Sequence, residues 1–127
     1  MPAATRNTAA SADNARQPDP ATQHAVQRFL HAITPRYPVA GAILYGSRAR
    51  GTHAPDSDAD LMVLLRGAPQ RRMDVLLGMA DSAYDAMLET GILISPLPVW
   101  ESEMDGGAGT LNPALLLNIS REGIRLA

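Results

Sequence analysis

The sequence predicts a small α/β domain in which helices pack on a mixed β-sheet. Two observations favour this class. Apolar residues recur at three- and four-residue spacing in residues 22–34 and 70–90, as they do on the buried face of a helix. Short apolar runs bounded by turn residues lie between and after these segments, as is typical of buried strands. The predicted order is helix, strand, strand, helix, strand, helix.

The first predicted helix spans residues 22–34, and Pro35 stops it because a proline cannot continue the hydrogen-bonding pattern. Its two histidines, His24 and His31, have no third ligand at metal-binding spacing, so we expect both to face solvent. The residues expected to face the core are Ala25, Val26, Phe29, Leu30 and Ile33.

Three strands are predicted. Residues 39–45 are almost wholly apolar and suit a buried strand. Residues 57–65 carry apolar side chains on both faces beyond Asp60, which predicts a central strand with its acidic start exposed. Residues 92–99 contain Pro96 and Pro98, and because prolines cannot donate to a ladder this strand is expected at a sheet edge.

Residues 70–90 form the longest helical pattern, which Gly91 ends. Residues 101–110 are expected to form an acidic, glycine-rich loop. Asn112 is expected to cap a last helix that has Pro113 at its first position and ends at Gly123. Core-facing residues are expected to be Met73, Leu76, Leu77, Ala80, Tyr84, Met87 and Leu88 in the long helix, and Leu115, Leu116 and Ile119 in the last one.

Length and composition limit the classes of function. A chain of 127 residues is sufficient for one domain, which we place at residues 21–127 after a disordered leader at 1–20; the alternative is that the leader is an arm that orders on a partner. The net charge of -2 argues against a general nucleic-acid surface. All 11 basic residues are arginine and there is no cysteine, which excludes a Walker lysine and a thiolate site. Without a signal pattern or membrane-length apolar run, a cytoplasmic location is expected.

Functional residues concentrate in one loop between the first two strands. It starts with Gly46-Ser47, which we expect to open a short helix closed by Gly51, and it ends with Asp58-Ala59-Asp60. Side chains alternate along a strand, so the two carboxylates are expected on one face. Two like charges so close suit a divalent ion, and oxygen ligands suit magnesium that substrate phosphates also hold.

This pattern resembles the G-S-x(10)-D-x-D signature of the DNA polymerase beta-like nucleotidyltransferase superfamily. It is most similar to the minimal nucleotidyltransferase (MNT) branch, whose pattern G-S-x-A-x-G…S-D-x-D-L is matched by Gly46, Ser47, Ala49, Gly51, Ser57, Asp58, Asp60 and Leu61. The resemblance implies a polymerase beta-like core and transfer of a nucleoside monophosphate. Many members of this branch are antitoxins paired with a HEPN-domain toxin, and some attach AMP to that partner.

The resemblance also implies roles for single residues. Asp58 and Asp60 would hold one or two Mg²⁺ ions and carry catalysis, and Gly46 and Ser47 would bind the terminal phosphates. Arg48 and Arg50 are candidate charge clamps, with Arg48 favoured because it lies nearer Gly46-Ser47. Ser57 is a further nucleotide ligand or a brace for the turn.

One position departs from the superfamily pattern, which has a third carboxylate on the strand after the long helix. Here Leu93 or Ser95 lies at about that place, and neither is acidic. Glu101 and Glu103 come later and would have to fold back, and His53 is the only titratable loop residue that could replace the base. Turnover is therefore expected to be slow or absent, although nucleotide and one magnesium ion can bind.

The sequence is compatible with three functions. The first is a magnesium-dependent enzyme that transfers AMP from ATP to a hydroxyl of a HEPN toxin partner, in a possible hetero-oligomer. The second is a catalytically weak or inactive nucleotide-binding antitoxin that acts by contact. The third is a transferase for a small molecule, for which the chain has few elements to build an acceptor pocket.

Overall fold

The computed structural model describes residues 17–104 and 111–127. The predicted leader lies outside the described residues as far as residue 16, and so does part of the predicted glycine-rich loop, at 105–110. In chain order the elements are α1 (Pro20–Ile33), β1 (Val39–Tyr45), α2 (Ser47–Arg50), β2 (Ala59–Leu65), α3 (Arg72–Thr90), β3 (Ile94–Trp100), α4 (Glu101–Met104), α5 (Pro113–Glu122) and β4 (Ile124–Arg125).

The strands form one mixed sheet in the order β3-β2-β1-β4. β1 pairs antiparallel with β2 and with β4, whereas β2 and β3 are parallel. The predicted α/β class is therefore confirmed, with β2 central and the proline-bearing β3 at an edge. β4 was not predicted because two residues carry too little periodicity to be recognised as a strand.

Each face of the sheet is covered by helices. Ala59, Leu61 and Val63 of β2 lie in the larger core, which includes apolar residues of α1 and α3. Met62 and Leu64 point to the other side and pack with Ile119 of α5. Because the side chains of β2 are buried on both sides, the position of the strand is fixed. The aspartates at its start are therefore held at one end of the sheet.

Helix α1 begins at Pro20 rather than at residue 22, because Asp19 caps it by accepting a hydrogen bond from the backbone N–H of Thr22 at 3.1 Å. The five residues expected to face the core are all buried, and His24 and His31 are exposed as predicted. Arg28, in the second half of the helix, pairs with Glu89 of α3.

The predicted buried face of α3 is wrong. The residues that face the core are Val75, Met79, Ser82, Ala83 and Ala86. Both faces of this helix carry apolar residues, so periodicity alone does not choose between them. The small side chains of Ser82, Ala83 and Ala86 allow the helix backbone to approach α1 and β3 closely, which leaves the larger residues outside.

Residues 101–104, the described part of the predicted loop, form a helical turn, α4, instead. Glu103 accepts hydrogen bonds from Arg72 of α3 and from the backbone N–H of Trp100, and the guanidinium of Arg72 lies over the Trp100 ring. The cap at Asn112 and the end of α5 before Gly123 are confirmed. No helix in the described part of the chain is both long and apolar enough to cross a membrane.

Candidate active site

The loop between β1 and β2 begins and ends at one place because of the strand register. Tyr45, the last residue of β1, pairs with Asp60 of β2. The chain leaves the sheet at Gly46 and returns at Ala59, so both ends of the sequence motif meet beside this pair. The pairing explains why Gly46-Ser47 and the two aspartates, distant in sequence, belong to one site.

The side chain of Arg48 fixes the path of this loop. It is only 3% exposed, and its guanidinium donates to the carbonyls of Ser57 and Pro55, both at 2.9 Å, and to the hydroxyl of Thr22 at 2.8 Å. One arginine therefore joins the start of the loop to its end and to α1. These bonds favour a structural role for Arg48, and its role as a phosphate clamp stays a prediction.

Gly46 allows the carboxylate of Asp60 to lie against the start of the loop. Its backbone has φ 77° and ψ -158°, a conformation essentially confined to glycine. A Cβ atom at this position would lie 2.5 Å from Oδ2 of Asp60. A side chain at residue 46 would therefore displace the Asp60 carboxylate as well as strain the backbone.

The two aspartates differ in their surroundings. Asp58 is exposed just before β2, and Asp60 is half-buried within it. Burial raises the pKa of Asp60, and the negative charge of Asp58 raises it further, whereas the positive charge of Arg50 lowers it. The electrostatic coupling indicates that the two carboxylates are neighbours, as the alternation of side chains predicts. A cation placed between them would relieve their repulsion.

Ser47 begins α2 and Gly51 ends it in the left-handed conformation, as expected. The carbonyl of Gly46 accepts from the N–H groups of Ala49 and Arg50, so the N–H groups of Ser47 and Arg48 precede the first helical bond. With four residues, α2 has too few aligned peptide units for a helix dipole to attract an anion strongly. An anion here would depend on these two N–H groups and the Ser47 hydroxyl.

Ser57 and Arg50 have distinct contacts. The hydroxyl of Ser57 accepts a hydrogen bond from the N–H of Ala54 at 3.1 Å, which makes it a brace for the turn. Its role as a nucleotide ligand stays a prediction. Arg50 is exposed and pairs with Glu122 at the end of α5, at 3.2 Å. Since this exposed pair is weak, the guanidinium of Arg50 can exchange Glu122 for a ligand.

The third carboxylate of the superfamily pattern is absent from the neighbouring strand. Ser95 is the register partner of Asp60, and the carbonyl of Leu93 accepts from the N–H of Ala59. Glu103 lies at the other end of β3, about 20 Å away along the strand, where it binds Arg72. Within residues 17–104 and 111–127, no group of three or more acidic or histidine residues is placed to hold a metal ion.

His53, the candidate replacement for the missing base, lies against the start of α1. Its Nε2 lies 3.3 Å from Oδ1 of Asp19, in a cavity that Arg48 and Thr90 also line. Its buried Nδ1 has no hydrogen-bond partner among the residues that the structure describes. The contact with Asp19 indicates that His53 helps to hold the loop against the start of α1.

Two features of the site were missed in the sequence. Tyr45 lies opposite Asp60, and burial, followed by the charge of Asp60, raises the pKa of its hydroxyl to about 12. Finding it requires the strand register. An apolar groove of about 220 Å³ also opens beside Asp58, between α3 and β3. Its lining residues include Leu76, Leu77, Ala80, Leu93, Ser95 and Pro96.

We predict that Gly46→Ala destabilises the protein by about 3 kcal/mol, because its backbone conformation is nearly forbidden to alanine. Gly51→Ala is the matched control: it has the same φ but open space around it, and should cost about 1 kcal/mol. The new methyl group of Gly46→Ala should also displace the Asp60 carboxylate toward solvent and so lower its pKa, whereas Gly51→Ala should leave this pKa unchanged. Urea unfolding and carboxyl-carbon NMR titration measure these effects, and equal results for the two variants would contradict the close approach.

Arg48→Ala should lower the free energy of unfolding by about 3 kcal/mol, because it leaves two carbonyls and a hydroxyl without their donor. Arg50→Ala, which removes an exposed ion pair with Glu122 and an attraction to Asp60, should cost less than about 1 kcal/mol. Urea denaturation followed by circular dichroism measures both. If the two variants were equally stable, the loop would not depend on Arg48.

Comparisons with known proteins identify the family. A model of the nucleotidyltransferase domain matches residues 26–106. Over 73 residues the chain is 37% identical to a Methanocaldococcus jannaschii protein named "Putative protein adenylyltransferase". That match covers 58% of this chain and 48% of the relative, so the chain spans about half the relative's length. A partial structural match is to the crystal structure of a "putative nucleotidyltransferase" from Sulfolobus solfataricus. Its TM-score is 0.42 and its identity 17%, and it covers 67% of this chain and 72% of that chain. Because the family model spans most of the described chain, from α1 through both aspartates to α4, this protein belongs to the nucleotidyltransferase domain family.

Proposed function

We propose that the protein transfers a nucleoside monophosphate, AMP from ATP, to a hydroxyl group of a partner protein in a magnesium-dependent reaction. The observation that carries this proposal is the carboxylate of Asp60, which lies against Gly46 at the start of the loop and interacts electrostatically with Asp58. Membership of the nucleotidyltransferase domain family supports nucleotidyl transfer in general. The name of the Methanocaldococcus relative supports an adenylyl group and a protein acceptor.

The residues present fit a magnesium ion. Two adjacent carboxylates, one with a raised pKa, form a site whose repulsion a cation relieves. Magnesium is commonly held by one or two carboxylates, with water and substrate phosphates completing the shell. When bound, it would neutralise charge on the phosphates and stabilise the oxygens that attack and leave. Asp58 and Asp60 are its proposed ligands.

The chain's own groups would position the nucleotide. We assign the terminal phosphates to the backbone N–H groups at Ser47 and Arg48 and to the Ser47 hydroxyl, next to Gly46. Arg50, exposed and close enough to Asp60 to lower its pKa, is assigned as the charge clamp. The guanidinium of Arg48 would act indirectly, by holding the loop in the shape that presents these groups.

The acceptor is proposed to be a HEPN-domain toxin, which would make this protein its antitoxin. The resemblance of the loop to MNT antitoxins and the protein acceptor in the relative's name support this assignment. The apolar groove beside Asp58 is open, so a side-chain hydroxyl of a macromolecule can approach the site. The complex would be a hetero-oligomer.

A second function is favoured by one observation, the serine at the register position beside Asp60. A carboxylate side chain at position 95 would help to remove the proton from the acceptor hydroxyl, and serine cannot do so. Without it, transfer would be slow, and the protein could neutralise its toxin by contact while a bound nucleotide orders the loop. The two functions differ in whether covalent modification is required.

The direct test incubates the protein with a HEPN partner, ATP and magnesium, and measures AMP addition by intact mass. Asp58→Asn and Asp60→Asn should lower the rate at least 100-fold, because each removes a ligand charge. Asp56→Asn, which removes an exposed acid from the same loop, is the control and should leave the rate unchanged. Modification at the wild-type rate by both aspartate variants would contradict the proposal.

Ser95→Asp distinguishes the two functions. If the missing carboxylate limits transfer, this substitution should raise the rate of AMP addition about tenfold or more, because it supplies a base beside Asp60. Ser95→Asn, of the same size and without charge, should not. If Ser95→Asp left the rate undetectable while the wild-type protein neutralised the toxin, the function by contact would replace enzymatic transfer.

A further inference from the structure

The outward face of α3 carries a continuous row of exposed apolar side chains. Met73, Leu77, Tyr84 and Leu88 are 57%, 64%, 54% and 66% exposed. Their spacing of four, seven and four residues places them on one side of the helix, over a length of about 22 Å. We call these four residues the apolar row. Large side chains exposed together in this way mark an interaction site more often than isolated ones do.

The apolar row is continuous with the candidate active site. On one side of the row, Leu76 and Ala80 line the groove between α3 and β3. Leu77 belongs to both the row and the groove, and Asp58 lies in the lining of the same groove. A molecule packed on the row therefore extends to the proposed metal ligand without leaving this surface.

The other side of the row is acidic. Three exposed aspartates lie there, next to the row around the circumference of the helix: Asp74, Asp81 and Asp85. Arg71 lies 3.8 Å from Asp74, and Arg28, which is near Asp85, is bonded to Glu89. Arg36 also reaches this flank, where its guanidinium donates to the carbonyl of Gly78 at 3.1 Å. Three arginines (Arg28, Arg36 and Arg71) therefore face four acids (Asp74, Asp81, Asp85 and Glu89), so the flank has a small net negative charge. A complementary surface would carry lysine or arginine along one edge.

An added β-strand does not fit this surface. The carbonyl of Leu93 accepts a hydrogen bond from β2. In a parallel ladder, alternate residues bond to the same neighbour, so the backbone N–H and C=O groups of the even-numbered residues of β3 point away from β2, toward the open edge. Two of these are Pro96 and Pro98, which lack an N–H group, and the carbonyl of Pro98 is bonded to Arg72. The outer edge of β3 therefore offers few bonds to another strand, whereas a helix can pack into the groove with its side chains.

We propose that the apolar row and its groove are the docking surface for a helix of the acceptor protein, with apolar residues on one face and basic residues along one edge. The assignment rests on the proposed function and deepens it by naming how the acceptor is held. A second copy of this chain is a poorer occupant. An antiparallel two-fold pairing of α3 would bring both acidic flanks to the same side, where they repel.

The test measures binding of fluorescent helical peptides of about 18 residues to the full-length protein by anisotropy. One peptide has a leucine row with lysines along one edge, a second has glutamates in place of the lysines, and a third is a scrambled control. The lysine peptide should bind at least tenfold more tightly than the other two. Leu77→Ser/Leu88→Ser should weaken binding of the lysine peptide at least tenfold, because the apolar area that the peptide buries on these two leucines is lost. Asp81→Asn/Asp85→Asn should reduce its advantage over the glutamate peptide.

The control variant is Leu117→Ser, which removes an exposed leucine from α5 and should leave peptide binding unchanged. Equal binding of the lysine and glutamate peptides, or an equal loss in Leu117→Ser, would overturn the proposal. It would also be overturned by a dimer in sedimentation that Leu77→Ser dissociates. Binding of ATP and magnesium, measured in parallel, should be unchanged in Leu77→Ser/Leu88→Ser. If the wild-type protein did not bind ATP and magnesium, the proposed function would be refuted, whereas the result with the peptides would still stand.

Discussion

The buried guanidinium of Arg48 is the contact on which the site depends. The loop from Gly46 to Asp58 has one short helix and would otherwise adopt many conformations, at a large cost in entropy when it orders. By donating to Ser57, Pro55 and Thr22, Arg48 joins both loop ends to α1. The loop then presents its serine, its exposed arginine and its two acids in one place. The guanidinium of Arg48, a candidate phosphate clamp, thus has a structural role in this loop.

The sequence predicted the larger elements because their signals are local. The apolar run of β1, the cap at Asn112 and the proline stop after α1 depend on neighbouring residues only. The face of α3 could not be predicted, because Leu77 and Met79 are equally apolar and only packing against α1 and β3 selects the smaller residues as the buried side. Met73, Leu77, Tyr84 and Leu88, which the sequence predicted in the core, instead form the exposed apolar row beside the candidate active site.

The site was partly predictable for the same reason. Gly46, Ser47, Asp58 and Asp60 form a recognisable pattern, and the strand register confirms that the two ends of this pattern meet. The contacts of Arg48, Tyr45 and Glu103 depend on tertiary structure, so the sequence could not distinguish a buried arginine from an exposed one, or locate Glu103 at the far end of β3. The serine at residue 95 was recognised as a departure, and its pairing with Asp60 shows how close to the acids it lies.

The central claim is that Asp58 and Asp60 together hold a divalent ion that binds a nucleotide. The most direct measurement is calorimetric titration of the wild-type protein with a non-hydrolysable ATP analogue, with magnesium and with a chelator. We expect saturable binding that requires magnesium and is lost in Asp58→Asn/Asp60→Asn. Binding of equal affinity in the presence of the chelator, or no heat beyond dilution under either condition, would contradict the account.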